Sequence, residues 1–181
     1  MPRFADLTTE TMTDAQKKAY EGIVSGPRGG ARGPFNILLR SPELADTVQR
    51  VGAYLRFKSS MPARLNEFAI CINARFWESK YEWYAHSKLA LEAGLPKAHL
   101  DALVARTRPT GMTAEEETVY DFCTTLHQKH FVDDALFART KTAFGEQGVV
   151  DLIGVSGYYT LVSMVLNVGE VPLPEGVPSP W

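Results

Sequence analysis

The stretch RLNEFAICINARFWESKYEWYAHSKLALEAGLP, residues 64–96, decides how this chain folds. Pro62 stands just ahead of it at a helix-opening position, and ARLNEFAICINARFW is apolar around most of its circumference, the pattern of a helix buried at the centre of a domain. Glu67 interrupts that apolar surface. After a short connection at Glu78 and Ser79, a second helical run goes from about Lys80 to Ala93 and stops at Gly94, a residue suited to the left-handed conformation that ends helices. At about 100° per residue, Ser79, Glu82, His86 and Ala93 share a narrow arc of this second helix. Trp83 and Ala90 sit at the edge of the arc, while Lys80, Tyr84 and Lys88 face another way.

Glu82 and His86 therefore share a stripe with apolar and small residues, one helical turn apart. A buried carboxylate must find a partner or take up a proton, and an imidazole one turn away is a natural partner. Such a pair can pass a proton at neutral pH, the requirement for general acid–base catalysis. The plainer reading of the same spacing is an i,i+4 ion pair that ties down one helical turn. If the two helices pack antiparallel across their short connection, Glu67 comes within reach of the pair. Its own plainer reading is a position near the helix start, close to the surface.

Outward from this stretch the chain reads as helices throughout. TDAQ caps an amphipathic helix over 14–25 that ends at Gly26-Pro27. GPRGGARGPF, residues 26–35, holds four glycines and two prolines and reads as a loop, with Arg28 and Arg32 where backbone amides help hold an anion. Ser41-Pro42 opens a helix running to about Lys58, and PKAHLDALVAR begins another at Pro96. Thr113 and Glu116 have capping-box spacing before an acidic first turn. Helices at about 133–144 and 148–167 complete the pattern. The end, VPLPEGVPSPW, with four prolines in residues 171–181, reads as an extended tail over the surface or a neighbour. Without an alternating strand pattern or a fixed-period repeat, the chain is expected to be all-α, one domain over 1–181 of about seven or eight helices.

Composition narrows the functional classes. The 181 residues are 45% apolar and 22% charged, a globular balance, and a formal net charge of −2 gives no general attraction for nucleic acid. Cys71 and Cys123 form no C-x-x-C pair and read as buried free thiols. MPRFADLTTE lacks the apolar core of a secretory signal, so the expectation is a cytoplasmic protein with no membrane segment. GVVDLIGVSGYYTLVSMVL, interrupted by Asp151 and glycines, reads as core or subunit interface.

The Tyr81-Glu82-Trp83 run, the following His86, the alanine-rich turn and Ala93-Gly94-Leu95 resemble the carboxymuconolactone decarboxylase-like superfamily, which also includes the alkylhydroperoxidase D-like proteins. GPFNILLRSPELA at 33–45 and LNVGEVPLP at 166–174 look like the flanking segments of the same family, so the resemblance covers most of the chain. It implies an alkylhydroperoxidase D-like helical domain that forms homo-oligomers, commonly trimers or hexamers. Redox members carry glutamate, eleven residues, cysteine, two residues, cysteine, three residues, histidine; this chain reads Glu67, Ser79, Glu82, His86 at those places. With both cysteines replaced, dithiol peroxidase chemistry lacks its nucleophile and its resolving partner.

What remains is proton-transfer equipment, and the resemblance then implies a lyase that needs no metal or organic cofactor. Such an enzyme removes carbon dioxide from a small cyclic carboxylate or lactone acid and reprotonates carbon. His86 would be the principal acid–base group, Glu82 would orient it or share its proton, and Glu67 would be the second carboxylate. Ser79, Tyr81 and Trp83 would contact the substrate, with an arginine anchoring its acid group by a bidentate contact. Arg32, Arg40, Arg56 and Arg75 are the candidates, of which Arg32 and Arg75 are assigned to the substrate site. Two other readings stand beside this one: an alkylhydroperoxidase or peroxiredoxin-like antioxidant, and a non-catalytic binding or assembly protein on the same fold.

The remaining chemical side chains have bland readings. His127 and His130 near a helix end, followed by Asp133 and Asp134, lack a third metal ligand at motif spacing and read as a solvated surface pair. His99 has no partner in the sequence. Trp77, Tyr81, Trp83, Tyr84, Tyr158 and Tyr159 could line a pocket or pack in the core.

Overall fold

A computed structural model describes residues 3–26 and 29–181; Arg28, read above as an anion-holding residue of the loop, lies outside the described residues. Among the described residues there are eight helices and no strand: α1 (Asp14–Val24), α2 (Pro34–Leu38), α3 (Pro42–Phe57), α4 (Ala63–Phe76), α5 (Lys80–Glu92), α6 (Lys97–Val104), α7 (Ala114–Lys129) and α8 (Asp134–Gly169). The chain is all-α.

Local chemistry explains where these helices begin and end. Thr13 with Gln16 and Thr113 with Glu116 both form reciprocal capping boxes, each pair satisfying two backbone amides that a helix start would otherwise orphan. The loop read over 26–35 ends at Gly33 rather than at Phe35. Pro34 occupies the first turn of α2, where its missing N–H costs nothing and its fixed φ already suits a helix. The two helices expected near 133–144 and 148–167 are the halves of α8, which kinks at Gly145 (φ 68°, ψ 177°).

Helix α4 forms the middle of the packing and touches α5, α6, α7 and α8. Leu65, Phe68, Ala69, Ile70, Cys71 and Ala74 are all fully buried, and full burial of a large apolar side chain contributes about 1.5–3 kcal/mol. Two asparagines on this helix are buried as well. Asn66 Nδ2 donates to the Leu55 carbonyl at 2.9 Å and Asn73 Nδ2 to the Ala69 carbonyl at 2.7 Å; Asn73 Oδ1 also meets His127, whereas Asn66 Oδ1 has no hydrogen-bond partner among the described residues.

Helix α8 has the length and apolar composition to cross a membrane. Its inner face, including Val149, Leu152, Val155, Val162 and Leu166, packs into the core. The tail from Val171 runs without helix, and its last residue, Trp181, lies edge-on to Trp83 with ring centroids 5.4 Å apart.

Candidate active site

The connection between α4 and α5 is short because Glu78 adopts a left-handed backbone (φ 52°) and the Ser79 amide closes back on the Ala74 carbonyl at 2.9 Å. That turn lays α5 along α4 and brings Glu67 to the Glu82–His86 pair. His86 Nδ1–H donates to Glu67 Oε2 at 2.6 Å, and Nε2 stands 3.4 Å from Glu82 Oε2. The side chains of Glu67, Glu82 and His86 are 12%, 5% and 6% exposed, so an imidazole lies buried between two carboxylates. The near-surface reading of Glu67 is thereby set aside. It sits far enough into α4 for α5 to cover it.

A cavity of about 210 Å³ opens over this cluster, with Glu82 and His86 in its wall. Tyr81, Tyr158 and Tyr159 supply phenol rings, Phe35 and Val162 supply apolar surface, and Arg32 and Arg56 supply cations to the lining. Glu67 does not line the cavity and stands behind the imidazole. Arg32 is placed by its neighbour: at Gly33 (φ 62°) a Cβ would fall 2.6 Å from the Tyr81 ring, so only glycine lets the loop close on α5 there.

Three of the residues assigned to substrate binding lie elsewhere. Arg75 is eight residues beyond Glu67, about 12 Å further along α4. Its Nε and Nη2 donate to the Val104 carbonyl at 3.3 and 3.2 Å, and its guanidinium lies 4.5 Å from the Trp181 ring centroid. Trp83, one position past Glu82, is turned away from the cavity toward Trp181. Ser79 precedes α5 and is fully buried beside Leu166 and Asn167 at the far end of α8, with no partner for its hydroxyl. Arg40 also drops out, since it reaches the Asn36 and Ala5 carbonyls and the Phe4 ring. Arg32 and Tyr81 do line the cavity, and Arg56, Tyr158 and Tyr159 join them from helices distant in the sequence.

Burial dominates the electrostatics around the cluster. It pushes the Tyr159 phenol well above its ordinary pKa, with the Glu82 charge adding to the effect, so the hydroxyl keeps its proton. Tyr81 is raised for the same two reasons. The Cys71 thiol, fully buried near Glu67 and Glu82, is pushed well above its usual value by desolvation and then by those charges. Burial takes Cys123 to about 12 against the opposing effect of the Ser156 hydroxyl. Neither thiol is set up to ionise.

One histidine differs from its sequence reading. His127 is half-buried rather than solvated: its Nε2 meets Asn73 Oδ1 and its ring stacks on Phe76 with centroids 4.6 Å apart. Burial, then the neighbouring His130, lowers its pKa. His99 has a neighbour, Glu116, whose Oε2 lies 3.5 Å from Nε2 and which also pairs with Arg64. Among the described residues no group of His, Cys, Asp and Glu side chains is arranged to hold a metal ion. No family model matches this chain, and no curated protein matches it.

Proposed function

We propose that this chain is a carboxymuconolactone decarboxylase-like protein on an alkylhydroperoxidase D-like fold. Its activity is that of a cofactor-independent lyase on a small cyclic carboxylate or lactone acid. The observation that carries the reading is His86, hydrogen-bonded from behind by Glu67 and facing Glu82 in the wall of a cavity also lined by Arg32 and Arg56. The motif resemblance over residues 64–96 points the same way.

The chemistry follows from the placement. The guanidinium groups hold a carboxylate that the substrate keeps, since pairing the departing one would stabilise the ground state against loss of carbon dioxide. When the carbon–carbon bond to the departing carboxylate breaks, its electron pair moves onto a conjugated carbonyl oxygen. The protonated His86 then delivers its proton to carbon, and solvent replaces that proton for the next cycle. Glu67 holds the ring orientation through Nδ1, leaving Nε2 for the transfer. Phe35, Val162 and the tyrosine rings keep water away from the carbanion-like intermediate.

Assembly into a homo-oligomer, trimeric or hexameric, belongs to the same proposal. Val150, Ile153, Leu161, Met164 and Val168 form an exposed apolar stripe at helical spacing on α8, the kind of surface that marks an interface. Sedimentation analysis should give more than one subunit.

The direct test is a screen of small cyclic carboxylates and lactone acids for carbon dioxide release, with His86→Ala alongside. Release that depends on His86 supports the lyase. A wild-type protein inactive on every acid in the screen leaves the binding or assembly reading in its place. The peroxidase reading is tested by the Cys71→Ser, Cys123→Ser double variant, because peroxide turnover that persists there has no thiol behind it.

A further inference from the structure

Tyr159 has a buried hydroxyl with no hydrogen-bond partner among the described residues. The residue is 2% exposed, and its Oη makes no hydrogen bond. A buried hydroxyl left unmade is costly, and such groups call for an explanation. Ser79 and Ser163 also carry buried hydroxyls without partners, but neither lines the cavity over His86. Tyr159 does. Its ring stands edge-on to His86, with centroids 5.0 Å apart at 83°, and is braced from the other side by Tyr158 at 5.1 Å and 81°. The ring is thus fixed while its polar end is unused.

The same wall holds a second unused donor. Arg56 Nε is buried and makes no hydrogen bond, and Arg56 is among the charges that act on Tyr159. A phenol and a guanidinium facing one cavity with idle donors describe a site that takes an acceptor-rich ligand. We propose that the Tyr159 hydroxyl donates a hydrogen bond to the carbonyl oxygen of the bound acid on which negative charge develops. This rests on reading the cavity as the site of a carboxylic acid.

The role is separate from that of His86. The electron pair released at carbon ends on the oxygen that Tyr159 faces, and a fixed donor aimed there binds the charged intermediate more strongly than the ground state. Tyr159 keeps its proton throughout, as the burial and the Glu82 charge around it require. The substrate class narrows accordingly: an acid that carries, besides the anchored carboxylate and the departing one, a conjugated carbonyl oxygen that takes up the electron pair.

The experiment uses 4-hydroxy-3-nitrobenzoate, whose carboxylate suits the arginines and whose nitrophenolate oxygen stands in for the developing oxyanion. Its control is 3-nitrobenzoate, which lacks that oxygen. Binding of both is measured by absorbance or calorimetry at a pH where the nitrophenol is ionised. Wild type should prefer the hydroxyl-bearing probe by about 10-fold to 100-fold, the worth of one charge-assisted hydrogen bond. Tyr159→Phe should erase that preference while leaving the affinity for 3-nitrobenzoate and the thermal unfolding midpoint unchanged, because the hydroxyl has no partner among the described residues to lose. An unchanged preference in Tyr159→Phe, or equal weakening of both probes, overturns the role of Tyr159 and leaves the acid site standing. Failure of either probe to bind wild type overturns the acid site and this inference together.

Discussion

Helix α8 meets two buried carboxylate centres, and they are built differently. Asp151 of α8 is 3% exposed and fully occupied. Its Oδ1 accepts from the Tyr54 hydroxyl at 2.9 Å, and its Oδ2 accepts from the Ser60 amide at 2.8 Å and from the Ser60 and Ser59 hydroxyls at 2.7 and 3.3 Å. These bonds tie α8 to α3 and to the turn that leads into α4. The Glu67–His86–Glu82 cluster is as well hidden, yet its groups face each other and a cavity. Around Asp151 every donor comes from neutral groups that cannot give up a proton near neutral pH. Around His86 the two polar partners, Glu67 and Glu82, are carboxylates that can take or return one. Burial alone does not mark a functional site; the proton-exchanging partners and the open wall do.

Substitutions at the two centres should separate along the same line. The largest effect is expected for His86→Ala, which should lower turnover of an acid found in the carbon dioxide screen by about 10²–10⁴-fold, measured as kcat, with the helical spectrum kept. Glu67→Gln should lower kcat toward the smaller end of that range with KM little changed, because Glu67 acts through the imidazole and does not line the cavity.

Asp151→Ala should do the reverse. It strands the Ser60 amide and three hydroxyls and should cost about 2–4 kcal/mol in denaturant unfolding, with the ligand affinity of the surviving folded protein intact.

A smaller effect is expected with pH. Burial works against ionisation of Asp151, but the Ser60 amide and hydroxyl, followed by Tyr54 and Ser59, outweigh it and hold the carboxyl below its ordinary range. The stabilisation is therefore fully present above the unfolded value of ~4 and is lost as pH falls through the lower folded value. Unfolding midpoints taken from pH 6 downward should fall less steeply in Asp151→Asn than in wild type. The smallest effect is expected for the Cys71→Ser, Cys123→Ser pair, which should leave lyase turnover unaltered because neither sulfur lines the cavity.

Much of the helical pattern was legible in the sequence, because capping boxes, helix-opening prolines and Gly94 act locally. The short α2 escaped because five residues behind a glycine-rich loop carry too little periodicity, and Pro34 was read with the loop it leaves. Within the candidate site, the 82–86 spacing placed Glu82 and His86 on one face, and the register of α4 supplied Glu67. The sequence could not rank the arginines, since which of them meets α5 depends on how α3 and the 29–33 loop pack. Arg75 and Trp83 miss the cavity for different reasons: Arg75 lies about two turns along α4 from Glu67, and Trp83, next to Glu82, is turned about 100° around α5 from it. Arg56 and Tyr159 join the cavity only through tertiary packing.

The most direct test of the central claim is an NMR titration of the His86 ring resonances in the intact protein, with and without a small cyclic carboxylate, using His86→Ala to assign the signal. The expected result is a saturable shift of the His86 signal on adding the acid and a change in its titration curve, both lost in an Arg32→Ala, Arg56→Ala double variant that still folds. A His86 signal that ignores every acid would contradict it.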